Sequence, residues 1–423
     1  MAARVLQRTL LGGARLDQQL DQLPDFADPR DRGLVHELAT GIVRWYPRLD
    51  RIVAQMLHRP LKDPDLNIPI LLGIYQLIHT RVPTHAAIST SVDTAAALGF
   101  KSAKGLVNCV LRRFVRERED IEKAIAKDPV AQFAHPQWLI DALRDAWQEA
   151  APQVLARANE IAPLTLRCNL QKTSRDAYLV SLHEAGVAAE PHPVSEVGIN
   201  IVKGGDPRQL PGFETGHFSV QDGAAQLAAK LLDAPAGARV LDACAAPGGK
   251  SAAILERAPD IQLTALDVDA ERLQLVEQTL SRVGLTANVR VGDAMHPATW
   301  ADGNTYSHML VDAPCTATGI IRRHPDIKLR RAAGDDAKLA VTQLALLKAL
   351  WPLLESGGTL LYATCSIMPT ENSNVVSAFL SAHADAELVP LSLPCGRDTG
   401  AGTQLLPGDE DMDGFFYAKV CKR

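Results

Sequence analysis

The spacing of apolar residues along the chain changes character near residue 130. Up to that point apolar side chains recur at intervals of three and four positions, as at Leu34, Leu38 and Ile42, and this is the period of one face of an α-helix. The stretch contains no alternation of apolar and polar residues of the kind that strands show. It is therefore predicted to form an all-helical bundle of about five or more helices.

After the helical region, short apolar stretches typical of β-strands appear in the sequence. Residues 161–210 combine two short β candidates, LTLRCNL and GINIV, with the helical stretch SRDAYLVSLHEAG, and predict a small α/β module behind a linker helix near 136–149. After residue 217 the apolar runs RVLDAC, QLTALD, NVRVGD, HMLVDAP and TLLYATC are separated by helix-length segments. This rhythm predicts parallel strands in a doubly wound sheet, whose ligands bind beyond the carboxyl ends of the strands.

The predicted fold class is thus multidomain. An all-α bundle occupies residues 1–135, a linker helix and small α/β module occupy residues 136–215, and a doubly wound α/β domain occupies residues 216–423. The length of 423 residues is consistent with two or three units of ordinary domain size.

The amino-acid composition limits which cellular environment and which kinds of site the sequence predicts. The seven cysteines are an odd number with no C-x-x-C pair, so neither a disulfide framework nor a metal site is predicted. No run approaches the roughly 18 uninterrupted apolar residues of a membrane span, and the N-terminus lacks a signal pattern. We expect a soluble, cytoplasmic protein with no membrane partner.

The net charge of −5 does not indicate a nucleic-acid binder, but two local stretches do. Residues 101–119 hold six Lys or Arg against two Glu. Residues 321–331 hold five basic side chains against one Asp. A solvated helix face is the alternative explanation for each stretch.

A glycine-containing turn follows the first strand of the α/β domain. Gly248 and Gly249 lack Cβ atoms, so backbone amides at the start of the next helix can approach a nucleotide-type ligand. Gly249, Lys250 and Ser251 also spell the end of a phosphate-binding P-loop, but that pattern needs glycine where Cys244 stands. An ATPase remains the weaker alternative.

Acidic residues end the next two strands. Asp267 lies 25 positions after Asp242, close to the spacing of an acid that binds a ribose diol. Asp293 ends the third strand, where it could reach an adenine amino group. Each acid alone could equally be a helix cap. Together they favour an adenosine ligand without a polyphosphate.

The fourth and fifth strands end in DAPCTATG and YATCS, which place Asp312, Cys315 and Cys365 at neighbouring strand ends. An isolated cysteine is usually an inert small apolar residue, whereas two thiols facing one cavity suit methyl transfer to carbon 5 of a pyrimidine. A thiolate adds to carbon 6, an acid protonates ring nitrogen 3, and carbon 5 becomes nucleophilic toward a sulfonium methyl donor.

These residues carry a family resemblance. DACAAPGGK, DAPCTATG and YATCS resemble, in order and spacing, the motifs of the RNA cytosine-5 methyltransferases. The continuation IIRRHPDIK and the helical N-terminal region resemble the bacterial Sun/Fmu branch, whose members join a NusB-like domain to this catalytic domain and methylate 16S ribosomal RNA. The resemblance covers essentially the whole chain. It implies a NusB-like RNA-binding domain over 1–135 and a Rossmann-like, S-adenosylmethionine-dependent catalytic domain over 216–423.

The resemblance also implies roles for individual residues. Cys365 would be the nucleophile, Cys315 would assist product release, and Asp312 would lie between cofactor and base, whereas DNA cytosine methyltransferases use the cysteine equivalent to Cys315 as nucleophile. Asp267 would bind the ribose and Asp293 would lie near the adenine. The S-adenosylmethionine loop would comprise Cys244, Ala245, Ala246, Pro247, Gly248, Gly249 and Lys250.

The implied partner is 16S ribosomal RNA, either naked or in an early small-subunit intermediate, bound by a monomer. The basic helix at 101–119 and the small module would hold the RNA, and Arg322, Arg323 and Lys328 would contact its phosphates. A pure RNA-binding or antitermination module is the remaining alternative. It would leave the cysteines at the strand ends without a role.

Overall fold

The computed structural model describes residues 1–57, 59–203 and 205–423, and these form two compact units. One unit comprises Met1–Glu160 with Ile321–Ala333, and the other comprises Ile161–Ile320 with Gly334–Arg423. The segment Ile321–Ala333 was predicted to belong to the α/β domain. It groups with the helical unit instead, where Lys328 donates buried hydrogen bonds to Ala134 and Asn159.

The first unit is helical, as the apolar period predicts. Asp28 caps its longest helix by accepting a hydrogen bond from the backbone N–H of Arg30, and Pro29 occupies the first helical position. Leu38 and Ile42 are buried in the core, whereas Leu34 at the edge of the same stripe is exposed. The helices are α1 (Ala2–Leu6), α2 (Leu16–Asp21), α3 (Pro29–Met56), α4 (Asn67–His79), α5 (Thr84–Ala97), α6 (Lys104–Ile125), α7 (Pro129–Phe133), α8 (Gln137–Trp147) and α9 (Ala151–Arg157).

The second unit opens with the small α/β module. Both predicted strands and the predicted helix are present, and two further strands complete a four-stranded antiparallel sheet. Leu166, Ile199 and Phe218 of this sheet share an apolar cluster with Leu182 of the helix. The elements are β1 (Leu164–Cys168), α10 (Arg175–Glu184), β2 (Ala189–Pro191), β3 (Gly198–Ile201) and β4 (Phe218–Val220).

The remaining chain forms the larger sheet and its flanking helices. The first part comprises α11 (Gly223–Leu232), β5 (Arg239–Ala243), α12 (Gly249–Arg257), β6 (Gln262–Asp267), α13 (Ala270–Val283), β7 (Asn288–Val291) and β8 (Tyr306–Asp312). After α14 (Ile327–Arg330), which belongs to the first unit, come α15 (Asp335–Leu350), β9 (Leu354–Thr364), α16 (Ser373–Ala382), β10 (Ala386–Val389), β11 (Arg397–Asp398), β12 (Thr403–Leu405) and β13 (Phe415–Lys422).

The strand order is β11-β12-β13-β9-β8-β5-β6-β7, with β10 paired to β13. The five predicted strands, β5 to β9, are parallel as expected. The prediction of a purely parallel sheet is incomplete, because β13 pairs antiparallel with β9 and extends the sheet into an antiparallel edge. No helix in the described part of the chain is long and apolar enough to span a bilayer.

Candidate active site

The turn after β5 is held in a conformation that few residues adopt. Cys244 and Gly248 have φ angles of +62° and +95°, in the left-handed region. A Cβ at Gly248 would lie 2.9 Å from the Cα of Val276, so both the angle and the space require glycine there. The N–H of Ala246 donates to Oδ2 of Asp267 at 3.2 Å, which ties the turn to the end of β6.

Both acids that the sequence assigned to an adenosine ligand lie at adjacent strand ends. Asp267 is only 4% exposed and also accepts a hydrogen bond from the N–H of Asp269 at 3.1 Å. Asp293 is more open; the N–H of Met295 donates to it at 2.9 Å and lowers the pKa of the carboxyl, and His296 pairs with it at 2.9 Å. Carboxylate oxygens can accept more than one hydrogen bond, so both acids keep acceptor capacity for a ligand.

Asp242 is fully buried beside the same turn. Its Oδ2 accepts a hydrogen bond from the hydroxyl of Ser251, while its Oδ1 has no partner among the residues that the structure describes. Burial raises the pKa of this carboxyl to about 7. A buried acceptor without a partner, next to a glycine-containing turn, fits a ligand that carries hydrogen-bond donors, such as an adenosine.

The two cysteines meet at the ends of β8 and β9. The sulfur atoms of Cys315 and Cys365 lie 3.4 Å apart, within hydrogen-bonding distance, and both side chains are partly exposed. The hydrogen bond to Cys365, together with burial, raises the pKa of Cys315 well above its ordinary value. The raised pKa keeps Cys315 protonated at neutral pH, so its thiol can donate to the neighbouring sulfur.

Lys250 forms an ion pair with Asp312 at the end of β8, the strand that leads to Cys315. Nζ of Lys250 contacts Oδ2 of Asp312 at 2.6 Å and lies 5.1 Å from the centre of the Phe415 ring. Burial lowers the pKa of Lys250, but the attraction of Asp312 more than offsets this, so the pKa lies above its ordinary value. The charge of a Cys365 thiolate contributes to the raised pKa of Lys250.

The same contacts bear on the P-loop hypothesis. A P-loop directs its lysine to phosphates and its serine hydroxyl to a metal-bound nucleotide. Here the Lys250 ammonium is paired with Asp312, and the Ser251 hydroxyl donates to Asp242. The ATPase alternative therefore has no support in the geometry.

Two of the three phosphate contacts predicted within residues 321–331 are wrong, whereas Arg323 is half-buried and its contact stays a prediction. Arg322 and Lys328 are each only 1% exposed, so they cannot bind phosphates. Nζ of Lys328 donates to the carbonyl oxygen of Ala134 and to Oδ1 of Asn159, both at 2.7 Å, and burial lowers the pKa of this lysine well below its ordinary value. The other basic stretch does reach solvent; its exposed members are Lys101, Arg112, Arg116 and Arg118.

Sequence reasoning missed Arg167, a charged residue in the apolar strand β1. It is 2% exposed, and its guanidinium forms two hydrogen bonds with the Glu256 carboxylate at 2.8 and 2.9 Å. Its Nη1 also donates to the carbonyl oxygen of Gly249 at 2.7 Å. An arginine inside an otherwise apolar strand was the available signal. The small module thereby holds the first residue of α12, directly after the turn.

Comparison with known proteins identifies the family. Three family models match in succession: the NusB family over residues 1–116, a ferredoxin-like domain of RsmF/B-like methyltransferases over residues 135–207, and the 16S rRNA methyltransferase RsmB/F over residues 229–421. Similarity to methyltransferases therefore extends over both the module and the larger sheet. It leaves the hypothesis of an RNA-binding module alone without support.

Similarity to individual curated relatives extends over the full length of this chain. Ribosomal RNA small subunit methyltransferase B of Pseudomonas putida is 47% identical and covers 100% of this chain and 97% of its own. The protein of the same name from Pseudomonas syringae pv. tomato is 45% identical, with coverage of 100% and 96%. The crystal structure of a methyltransferase homolog from Pyrococcus horikoshii is 27% identical, with a TM-score of 0.62 and coverage of 70% and 98%. The chain belongs to the RsmB/F family of methyltransferases, whose methyl donor is S-adenosylmethionine.

The hydrogen bond from Arg167 to the carbonyl oxygen of Gly249 leads us to a prediction about cofactor binding. We expect Arg167→Ala to weaken binding of S-adenosylhomocysteine about tenfold, because the start of α12 loses a charged hydrogen-bond donor and Glu256 loses its partner. Isothermal titration calorimetry measures this. Arg282→Ala is the matched control, since that guanidinium joins α13 to the carbonyl oxygens of Phe213 and Phe218 without touching the turn. Equal affinities for the two variants would contradict the prediction.

Proposed function

We propose that this protein transfers a methyl group from S-adenosylmethionine to carbon 5 of a cytosine in 16S ribosomal RNA through a covalent intermediate on Cys365. The observation that carries the proposal is the pair of thiols 3.4 Å apart at adjacent strand ends, beside the ion pair of Lys250 and Asp312. Its relatives are named as methyltransferases of the small-subunit ribosomal RNA, which supports the substrate.

A thiol is needed because carbon 5 of cytosine does not react directly with a methyl donor. Carbon 5 of cytosine is a poor nucleophile until a group adds at carbon 6. In the proposed first step the Cys365 thiolate forms a bond to carbon 6, and the displaced electron pair moves into the ring, where protonation at nitrogen 3 stabilises it. Carbon 5 is then nucleophilic, and S-adenosylmethionine, when bound, supplies an electrophilic methyl group.

The structure modifies the expected role of Asp312. The sequence resemblance places it between cofactor and base, and its carboxylate is paired with the Lys250 ammonium at 2.6 Å. We infer that the pair acts together: Lys250 holds the proton, and Asp312 passes or directs it to nitrogen 3. General acid catalysis of this kind contributes roughly 10²- to 10⁴-fold in rate.

Release reverses the first step. A base removes the proton on carbon 5, its electron pair forms the double bond between carbons 5 and 6, and the bond between carbon 6 and the Cys365 sulfur breaks with its pair going to sulfur. The proton gained at nitrogen 3 returns to the pair of Asp312 and Lys250. The Cys315 thiol, held protonated 3.4 Å away, donates its proton to the departing sulfur. The nucleophile is thus restored as a thiol, and Cys315 is reprotonated before the next cycle.

The surrounding residues have proposed binding roles. The turn Cys244–Lys250, Asp267 and Asp293 would hold the cofactor, with Asp312 at its junction with the base. We propose that residues 1–135 bind RNA through the basic face of α6, that the module within 136–215 helps to hold the strand, and that residues 216–423 perform catalysis. The target cytosine must leave its stack to reach a thiol, which favours a single-stranded loop or a flipped base.

Nucleoside analysis tests the proposal. Protein-free 16S RNA is incubated with S-adenosylmethionine labelled in its methyl group, digested to nucleosides and separated by chromatography with mass detection. We expect the label in 5-methylcytidine. Label in N4-methylcytidine or in a ribose-methylated nucleoside would contradict the proposal, because neither product needs a thiol to add at carbon 6.

A further inference from the structure

Glu371 is a buried carboxylate six residues after Cys365, and its side chain is fully inaccessible to solvent. Four donors surround it. Oε1 accepts from the backbone N–H of Thr316 at 2.8 Å and from Nε2 of Gln343 at 3.1 Å. Oε2 accepts from the hydroxyl of Ser366 at 2.5 Å and from the hydroxyl of Thr316. Every donor therefore comes from the loop of one cysteine or from α15.

The first set of contacts holds the chain on both sides of Cys315. Thr316, which follows that cysteine, is bonded to Glu371 through its backbone and its side chain. Pro314, which precedes it, accepts a hydrogen bond through its carbonyl oxygen from Nε2 of Gln343 at 2.9 Å. Since Gln343 also donates to Glu371, the carboxylate orients the amide that fixes the other side of the loop.

The second set holds Cys365. Ser366 is the next residue, and its hydroxyl donates to Glu371. The N–H of Gly319 donates to the carbonyl oxygen of Cys365 at 2.9 Å, and a Cβ at Gly319 would lie 2.8 Å from that oxygen, so the two loops touch through their backbones. The hydroxyl of Tyr362 donates to the carbonyl oxygen of Glu371 at 2.7 Å and anchors the carboxylate to β9.

We propose that Glu371 is a positioning residue that sets the distance between the Cys315 and Cys365 sulfurs and thereby controls ionisation of the nucleophile. The inference rests on the proposed function, because it assigns Glu371 to the same thiol pair. Glu371 holds the two loops through its hydrogen bonds from Thr316, Ser366 and Gln343. Its charge also contributes to the raised pKa of Cys315.

A carboxylate suits this task better than an apolar side chain. It accepts from all four donors at once, and hydrogen bonds to a charged acceptor are shorter and stronger than neutral ones. Burial raises the pKa of Glu371, and the donors oppose that shift. A purely structural role predicts only a loss of stability on substitution. A positioning role predicts in addition a change in how Cys365 ionises, since the hydrogen bond from Cys315 stabilises its thiolate.

The test compares Glu371→Ala with wild type in the methyl-transfer assay across pH, with saturating RNA and S-adenosylmethionine. We expect kcat to fall about 100-fold, the size of effect that an ångström-scale misplacement has. We expect the acidic limb of the pH profile to move up by about one pH unit, because a hydrogen bond to the charged sulfur is lost. Affinity for S-adenosylhomocysteine should stay at the wild-type value.

Two further variants separate positioning from stability. Glu371→Gln should recover most of the activity and the wild-type pH profile, since its amide oxygen still accepts from Thr316 and Gln343 and its NH₂ group can donate to the two hydroxyls. Gln226→Ala is the matched control: Gln226 in α11 is also buried, and its hydrogen bonds join it to Ser195, Leu166 and Gln221, none of which lies in a cysteine loop. It should lower the melting temperature without moving the pH profile.

The outcomes are distinct. An unshifted pH profile in Glu371→Ala, with a loss no larger than that of Gln226→Ala, would overturn the positioning role while leaving the proposed function intact. If wild type itself forms no 5-methylcytidine, the proposed function fails instead. If Glu371→Ala does not fold, Ser366→Ala takes its place, because it removes the hydroxyl that links the residue after Cys365 to Glu371 and leaves the carboxylate itself in position. It should lower kcat about tenfold with the same upward shift, and an unshifted profile would overturn the proposal.

Discussion

Replacing Cys365 with alanine is expected to abolish both methyl transfer and the covalent protein–RNA species. Without the sulfur no bond forms at carbon 6, so carbon 5 is never activated. The loss should be at least about 10⁴-fold, as for the removal of other catalytic nucleophiles. Assays with labelled S-adenosylmethionine and denaturing gels of the reaction mixture measure transfer and adduct separately.

Replacing Cys315 with alanine is expected to have the opposite effect on the adduct. Cys365 can still add to carbon 6, but the departing sulfur has lost the thiol that lies 3.4 Å away and supplies its proton. The high pKa of Cys315 keeps that proton available at neutral pH. The variant should therefore accumulate a protein–RNA band that survives denaturation, while turnover stops after about one cycle.

Cys421→Ala is the control for both variants, since this partly exposed thiol lies in β13 and contacts neither cysteine. It should behave as wild type. If Cys315→Ala loses the adduct and Cys365→Ala traps it, the chemistry stands with the two thiols exchanged. If all variants methylate RNA equally, the covalent mechanism is wrong.

Asp312→Asn is expected to lower kcat about 10³-fold, within the range of general acid catalysis. An amide cannot relay a proton, and the buried Lys250 ammonium loses the partner that raises its pKa. Burial alone lowers the pKa of a lysine, so Lys250 would tend to become neutral. It would then stabilise neither the ring nitrogen nor the Cys365 thiolate. Single-turnover methylation at saturating RNA measures the change.

Asp302→Asn provides the comparison for this variant. Asp302 also pairs with a basic side chain, Arg290, at 2.6 Å, but on the surface of the same unit. Exposed pairs contribute little, so this variant should keep wild-type activity. The role assigned to Asp312 would be refuted if Asp312→Asn retained wild-type kcat. It would also be refuted if Asp312→Asn lost activity only because it failed to bind S-adenosylhomocysteine.

The sequence was sufficient to predict the meeting of the two cysteines. Each ends an apolar run of strand length, and the alternation of runs and helices indicates parallel neighbours whose carboxyl ends lie together. Cys315 and Cys365 therefore had to approach each other, and the pairing of β8 with β9 brings them into contact. Pattern alone could not tell which thiol is the nucleophile. Hydrogen bonding and charge around the pair bear on that question.

Burial of charge was not predictable from the same patterns. Arg322 and Lys328 have the spacing of a solvated basic patch, yet both are inaccessible. The partners of Lys328 are Ala134 and Asn159, more than 150 positions away in the chain. A local window contains no information about such partners, so a basic stretch has the same appearance whether it faces water or a packed interior.

Other omissions have the same physical origin. Glu371 lies just before a helix, where an acid is commonly a helix cap. Only its hydrogen bonds from Thr316 and Ser366 show that it lies between the two cysteine loops. The antiparallel strand β13 has strand-like composition, but composition does not give the direction of pairing. Contacts between distant segments, rather than local preference, determine these features.

Peptide mapping of the trapped species tests the central claim most directly. The adduct of Cys315→Ala with 16S RNA is digested with nuclease and trypsin, and mass spectrometry locates the peptide that carries a modified cytidine. Our account predicts the nucleotide on Cys365, with the added methyl group present, because release is the blocked step. A nucleotide on any other residue, or efficient methylation with no covalent species at any time point, would contradict it.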